Sequence, residues 1–331
     1  MTDDARITLR TIADRAGVSV ATVSTVLSNK AGSGKVRISD QTIQKVRRTA
    51  RSAGYRRQIV IGLIPARLSE ANEIPVAQSI IQTLREEHDV HLALGVPTQA
   101  NPQSELTELA LIGGSGFDGA IMEPSFALLR QLADRPDIIA SCTNLVFINR
   151  YPVDEVPCVT VDHRQCGVIA ARHLIDNGHA RIAFLADHGD SDPASCCPAI
   201  ECEVQQNRYQ GFSEALAEAG RTGELVHEVE DVLARRGEFT AIYCAHTRGA
   251  TALLSACWQA GVSVPAALSI VGQDDEFTKE MARPALTTVD VRAPEVGQLA
   301  ARTIIARIDG EKPKSTVLAP RLIERESVRH L

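Results

Sequence analysis

Apolar residues follow two regimes along this chain. Up to residue 57 they recur three and four apart; from Ile59 onward they come in short continuous runs separated by stretches of helical period. In the first regime Leu9, Ile12, Ala13 and Ala16 share one face of a helix expected from Leu9 to about Ala16, with Thr8 as its cap and Gly17 as its left-handed stop. Ser19 caps a second helix, Val20 to Ser28. Ser39 caps a third, which carries Ile43, Val46 and Ala50 and ends at Gly54. On the second helix Val23, Val26 and Leu27 fall on one side. Val20, Ala21, Ser24, Thr25 and Ser28 share an arc of about 140° on the other. Two short amphipathic helices joined by a tight turn form a helix-turn-helix pattern, whose second helix suits a DNA major groove. The same pattern also suits a small helical subdomain packed on a larger body.

The second regime reads as strands "IVIGLIP", "VHLALGV", "FDGAIME", "NLVFINR", "CVTVDH", "ARIAFLA", "FTAIYCA" and "ALSIVGQ", with helical stretches at 164–177, 206–219, 247–260 and 294–308 among them. Such βαβ alternation predicts an α/β fold with parallel sheets covered on both faces, and so many strands favour two doubly wound lobes over one sheet. The expected organisation is a three-helix head, 1–57, on a core, 58–331. Lobe one takes about 58–160 and 289–310; lobe two takes about 161–288 and 311–331. Ligands of such folds bind outside the carboxyl ends of the strands, here in the crevice between lobes.

Charge divides at the same boundary. Residues 1–57 hold 12 Lys and Arg against 4 Asp and Glu, a balance of +8; the whole chain is at −6, so the remainder carries −14. A basic head on an acidic body implies that only the head meets a polyanion. No apolar run approaches the ~20 residues of a membrane helix, so no membrane is expected as a partner. The opening Met-Thr-Asp-Asp has no secretory pattern, which makes the cytoplasm the expected location. The eight cysteines lack C-x-x-C spacing and are read as reduced thiols, with Cys196, Cys197 and Cys202 as the one cluster. No cofactor or metal is called for, and no G-x-S-x-G elbow or P-loop supports an enzyme.

"TIADRAGVSVATVS", "GHARIAFLA" (178–186), "NRYQGFSEALAEAG" (207–220), "GVSVPAALSIVGQDD" (261–275), "PALTTVDV" (284–291) and "LIERESV" (322–328) stand in the order and spacing of the lactose-repressor/galactose-repressor (LacI/GalR) family, which the chain resembles over nearly its full length. The resemblance implies a homodimeric transcription regulator, in which a small effector between periplasmic-binding-protein-like lobes sets the affinity for double-stranded operator DNA. It puts Val20, Ala21 and Thr25 at base-reading positions, where small side chains suit thymine methyls and single hydroxyl bonds. Thr22 and Ser24 are expected to reach phosphates. Thr8, Ser19, Ser28, Asn29 and Arg56 complete the expected DNA contacts.

For the crevice the resemblance points to Arg208, whose fixed donors suit hydroxyls, carboxylates or phosphates. Asp274, His246, Asn149 and Arg150 follow strands and join it, with Phe126 as an aromatic candidate. Asp162 and Asp290, near the lobe crossovers, read as structural. The helix around Val76–Leu84 and the segment 294–308 are candidate dimer faces. Departures from the family pattern matter too. "GYRR" runs almost directly into "QIVIGLIP", leaving no room for the family's hinge helix. His246-Thr247 replaces the family's Asn-Asp, "VEDVLARRGEFTAI" looks a helix short, and "DHGDSDPASCCPAIECEVQQ" is long. A missing hinge leaves open a ligand sensor of the same fold whose DNA binding is weak or depends on a co-regulator. A solute receptor built on the same core would need the signal peptide that this sequence lacks.

Overall fold

A computed structural model describes residues 7–27, 38–53, 55, 59–65, 73–87, 90–97, 101–114, 117–142, 144–150, 156–186, 203–273 and 282–331. Three helices make the head: α1 (Leu9–Ala16), α2 (Val20–Leu27) and α3 (Asp40–Ser52). Each begins on a hydroxyl cap. Thr8 Oγ1 accepts from the Thr11 amide at 3.3 Å, Ser19 Oγ from Thr22 at 3.0 Å and Ser39 Oγ from Thr42 at 3.3 Å. Gly17, at φ 64°, ends α1 in the left-handed region that a β-carbon disfavours. Ile12, Ala13, Ala16, Val23, Val26, Val46 and Ala50 bury together as the head's own core.

The body runs β1 (Ile59–Ile64), α4 (Glu73–Glu87), β2 (Val90–Leu94), α5 (Pro102–Gly114), β3 (Gly119–Met122), α6 (Phe126–Ala133), α7 (Pro136–Ser141), β4 (Leu145–Ile148) and β5 (Cys158–Val161). It continues through α8 (His163–Asp176), β6 (Ile182–Leu185), α9 (Glu203–Glu218), β7 (Gly223–Val226), α10 (Val229–Ala234), β8 (Ala241–Cys244), α11 (Thr247–Gln259) and β9 (Ser269–Gln273). The last elements are β10 (Thr287–Asp290), α12 (Ala293–Ile308), β11 (Thr316–Leu318) and β12 (Arg321–Ile323). Two sheets result, ordered β11-β5-β4-β3-β1-β2 and β12-β10-β9-β8-β6-β7. All pairings are parallel except β10 with β12. The central strands are buried on both faces, as continuous apolar runs require.

The chain passes between lobes at β5–α8, β10–α12 and β11–β12. Asp162 and Asp290 sit at two of these crossings. The Asp162 amide donates to the Leu318 carbonyl at 2.9 Å while its carboxylate caps α8 through the Gln165 amide. The Asp290 carboxylate accepts from the amide of Arg292, which is itself left-handed at φ 53°.

Four strands, β7, β10, β11 and β12, go beyond the eight expected. β11 pairs with β5 in the first sheet, so 316–318 lie with lobe one and not, as expected, with lobe two. Val76, Ile80 and Leu84 of α4 bury against α12, and a β-carbon on Gly297 would sit 2.5 Å from the Val76 carbonyl oxygen. One side of each of the two candidate dimer helices is thus used within one chain. The stretch "VEDVLARRGEFTAI" carries the six-residue α10. The expected absence of a hinge helix falls mainly on 54 and 56–58, outside the described residues; six residues, 53–58, separate α3 from β1.

Candidate functional site

On α2 the face turned away from the head's core is small and nearly uncharged. Val20 is 43% exposed, Ala21 and Ser24 are exposed, and Val23 and Val26 are fully buried. Thr22 and Thr25 are half-buried. Their hydroxyls are engaged locally, Thr22 with Ser19 Oγ at 2.8 Å and Thr25 donating to the Ala21 carbonyl at 2.8 Å. Thr8 and Ser19 spend their hydroxyls on caps. Ser28, Asn29 and Arg56 lie outside the described residues.

The crevice collects polar side chains from the carboxyl ends of both sheets. On lobe one, Glu123 follows β3, and Asn149 and Arg150 follow β4. Arg150 Nη1 lies 3.3 Å from one Glu123 carboxylate oxygen, Asn149 Nδ2 donates to the other at 3.2 Å, and Arg150 Nε donates to the Pro124 carbonyl at 2.7 Å. Asn149 takes φ 54°, a left-handed turn that asparagine tolerates better than most residues. This guanidinium–acid pair is mostly buried, with side-chain exposures of 14% for Arg150 and 11% for Glu123.

On lobe two, His163 opens α8, Gln205 and Arg208 lie on α9, and His246 caps α11. Arg208 is 3% exposed. Its Nη1 donates to the Ala245 carbonyl, and its Nη2 donates to His163 Nδ1 at 3.3 Å. Gln205 Nε2 donates to His246 Nε2 at 2.6 Å. Burial, then the Arg208 charge, hold both histidines neutral: His163 falls well below its ordinary value and His246 to about 3. Arg150 also acts on His163, which brings the two lobes' clusters within electrostatic reach of each other. Burial likewise pushes the Cys166 thiol beside Arg208 up to about 12. The described cysteines Cys142, Cys158, Cys166, Cys244 and Cys257 are free thiols, and no described group of three His, Cys, Asp or Glu could hold a metal.

The structure therefore groups Arg208 with His246 and, separately, Asn149 with Arg150. Phe126 opens α6 behind its cap Ser125, its side chain outside the described set; Asp274 lies outside it entirely. Glu123, His163 and Gln205 were missed. Glu123 and His163 carried the signal used for the others, a polar residue at or just past an apolar strand's end. Gln205 had none.

A basic helix-turn-helix head on a two-lobed core with a polar crevice defines a class of ligand-binding DNA-binding proteins. Residues 8–58 match the model of bacterial regulatory proteins of the lacI family, and 171–328 match a periplasmic binding protein-like domain. The chain is 27% identical to the HTH-type transcriptional regulator GalR of Escherichia coli over 97% of this chain and 95% of that one. Among solved structures it is similar to a complex of the transcriptional regulator CelR with cellobiose, with TM-score 0.68 and 25% identity, covering 97% of this chain and all of that one. The fold is shared with the lac repressor dimer bound to operator and the anti-inducer ONPF, with TM-score 0.68 and 20% identity over 98% of this chain and 99% of that one. A LacI-family head on a periplasmic-binding-protein-like core makes this chain a transcriptional regulator with an effector-binding core.

Proposed function

We propose that this chain is a homodimeric, cytoplasmic repressor without enzymatic activity, which releases or grips a roughly palindromic operator according to a small polar molecule held in the crevice. The observation that carries this is the outward set Val20, Ala21 and Ser24 on a head with a balance of +8, joined to a crevice lined by Glu123, Asn149, Arg150, His163, Arg208 and His246. The head supplies the salt-sensitive phosphate attraction; the small groove-facing residues suit methyl and single-hydroxyl readout. Thr8, Ser19, Thr22, Thr25, Ser28, Asn29 and Arg56 contribute at the DNA, and Asp274 and Phe126 complete the crevice. A two-fold pair of heads reads two half-sites. The domain division is a head, 1–57, and a core, 58–331, with 316–318 counted in lobe one.

Footprinting of the purified full chain on the DNA upstream of its own gene, from ~50 to 200 mM salt, tests this. A protected site whose affinity falls steeply with salt supports it. No salt-dependent protection under any candidate effector overturns it. The six residues 53–58, too few for much of a helix, favour a second reading, in which DNA binding is weak until a co-regulator joins. Protection only when cell extract is added identifies that case.

A further inference from the structure

We propose that the head rides on lobe one as a docked unit, held by Arg47 of α3 seated on the carboxyl end of α12. This seat carries lobe movement to the DNA-reading helix in place of a folded linker. The inference rests on the reading of the head as the DNA-binding part, and it adds how that part is coupled to the body.

Arg47 is half-buried, and its Nη1 donates to the Asp309 carbonyl just past the last turn of α12. The last carbonyls of a helix have no partner within it and carry its partial negative charge, so a guanidinium is well matched there. Gly310 completes the seat. At φ 88° it turns the chain left-handed, and it leaves room for the guanidinium: a β-carbon there would overlap Arg47 Nη1 and lie 3.4 Å from its Cζ. The amides of Gly310 and Glu311 donate back to the Arg307 and Ala306 carbonyls, both at 2.9 Å, which fixes this turn against the helix.

The course of the chain brings the two partners together independently. The Tyr55 amide donates to the Ala50 carbonyl at 2.9 Å, and its side chain packs on the head's core. β1 begins at Ile59, so four peptide steps, at most ~14 Å, tie the head to the start of that strand. α12 begins at the carboxyl ends of the same sheet, where Arg292 Nη1 donates to the Ala319 carbonyl just past β11 at 3.4 Å. It packs back across β5, β4 and β3. Its other end, ~24 Å away, therefore lies where the parallel strands begin, β1 among them. α12 thus reaches from a crossing between the lobes to the head. Seated on its far end, the head follows lobe one when the lobes rotate against each other, and no segment has to fold to pass the change on.

The test begins with the intact chain free of DNA. Hydrogen exchange over residues 305–311, read by mass spectrometry, should be about tenfold faster in Arg47→Met than in wild type, the effect of losing a charged hydrogen bond. Exchange in α1 should be unchanged. Arg48→Met, which removes an exposed charge one residue away, should behave as wild type. The proposal is overturned if exchange in Arg47→Met is unchanged, if Arg48→Met matches it, or if α1 speeds up equally, which would mean a damaged head.

The second arm uses the site that footprinting protects. Arg47→Met should bind a duplex carrying both half-sites about tenfold more weakly, because loosened heads lose their fixed spacing. It should bind one half-site as well as wild type, with the same salt slope. A weaker half-site complex with a slope lower by about 1 would make Arg47 a phosphate contact and sink the seat. Equal affinity of both proteins for the paired site would sink it too. If wild type protects no site, the regulator reading fails on its own, and the exchange arm still judges the seat.

Discussion

Gly211 of α9 lies directly against the backbone of Arg164 on α8: a β-carbon there would sit 1.9 Å from the Arg164 carbonyl oxygen. The contact is reciprocal, since a β-carbon on Gly167 would come as near to the carbonyl of Arg208. Two glycines let these helices cross backbone to backbone, and the crossing sets where His163 and Arg208 meet.

Gly211→Ala should therefore force α8 and α9 apart. A loss of about 3 kcal/mol or more is expected, at the upper end of ordinary overpacking because backbone, and not a flexible side chain, stands in the way. Urea denaturation of the full chain measures it. An unchanged midpoint would show that the helices slide without cost.

Glu123→Gln should strand Arg150, a guanidinium only 14% exposed in its side chain. Removing one partner of a buried ion pair costs about 3 kcal/mol, more than the pair itself contributes. The double variant with Arg150→Met should recover most of that loss in the same denaturation assay.

Acid should destabilise the core before it protonates most carboxylates. His163, His173, His179 and His246 all have folded values below the ordinary 6.5, with burial as the first cause. Each group's contribution is fully present above the unfolded value and is lost as pH falls from 6.5 toward its folded value, about 3 for His246. Glu105 runs the other way: burial raises its value above 4.5, so it adds stability as pH falls through its folded value toward 4.5 and offsets part of the loss at the acid end. Melting temperature should thus drop between pH 7.5 and 5, and His246→Gln should shallow that slope. A flat profile across this window would contradict the burial of these rings.

Ser19→Ala should remove the cap of α2 and cost about 1 kcal/mol within the head. Footprinting should then show weaker protection on every sequence alike. Val20→Arg, by contrast, should leave the fold unaltered and shift which bases are preferred, because its side chain is already turned outward.

Much of this architecture was legible in local pattern. Most of the eight apolar runs became strands because buried parallel strands write themselves as unbroken hydrophobic sequence; Val90–Leu94, at a sheet edge, is apolar without one fully buried residue. The four strands not expected lie at or next to sheet edges. Gly223–Val226 buries only its last residue fully and Thr316–Leu318 buries none, so no periodicity announced them. The placement of 316–318 in lobe one was invisible for another reason: pairing with β5 spans more than 150 residues, and nothing local encodes it. At the crevice, residues ending strands were readable by position. Gln205 was not, because its contact with His246 depends on where α9 is docked.

The returning tail has a consequence for how this protein is made. Residues 316–318 close one edge of the first sheet, 321–323 close one edge of the second, Ser327 hydrogen-bonds the Ile270 carbonyl, and the Leu331 amide donates to Asn177. Until residues 316–323 have left the ribosome, β5 and β10 both present bare strand edges, the kind of surface that invites stray pairing. Only residues 319 and 320 separate the two closing strands in the order of synthesis, so the two lobes gain them almost together.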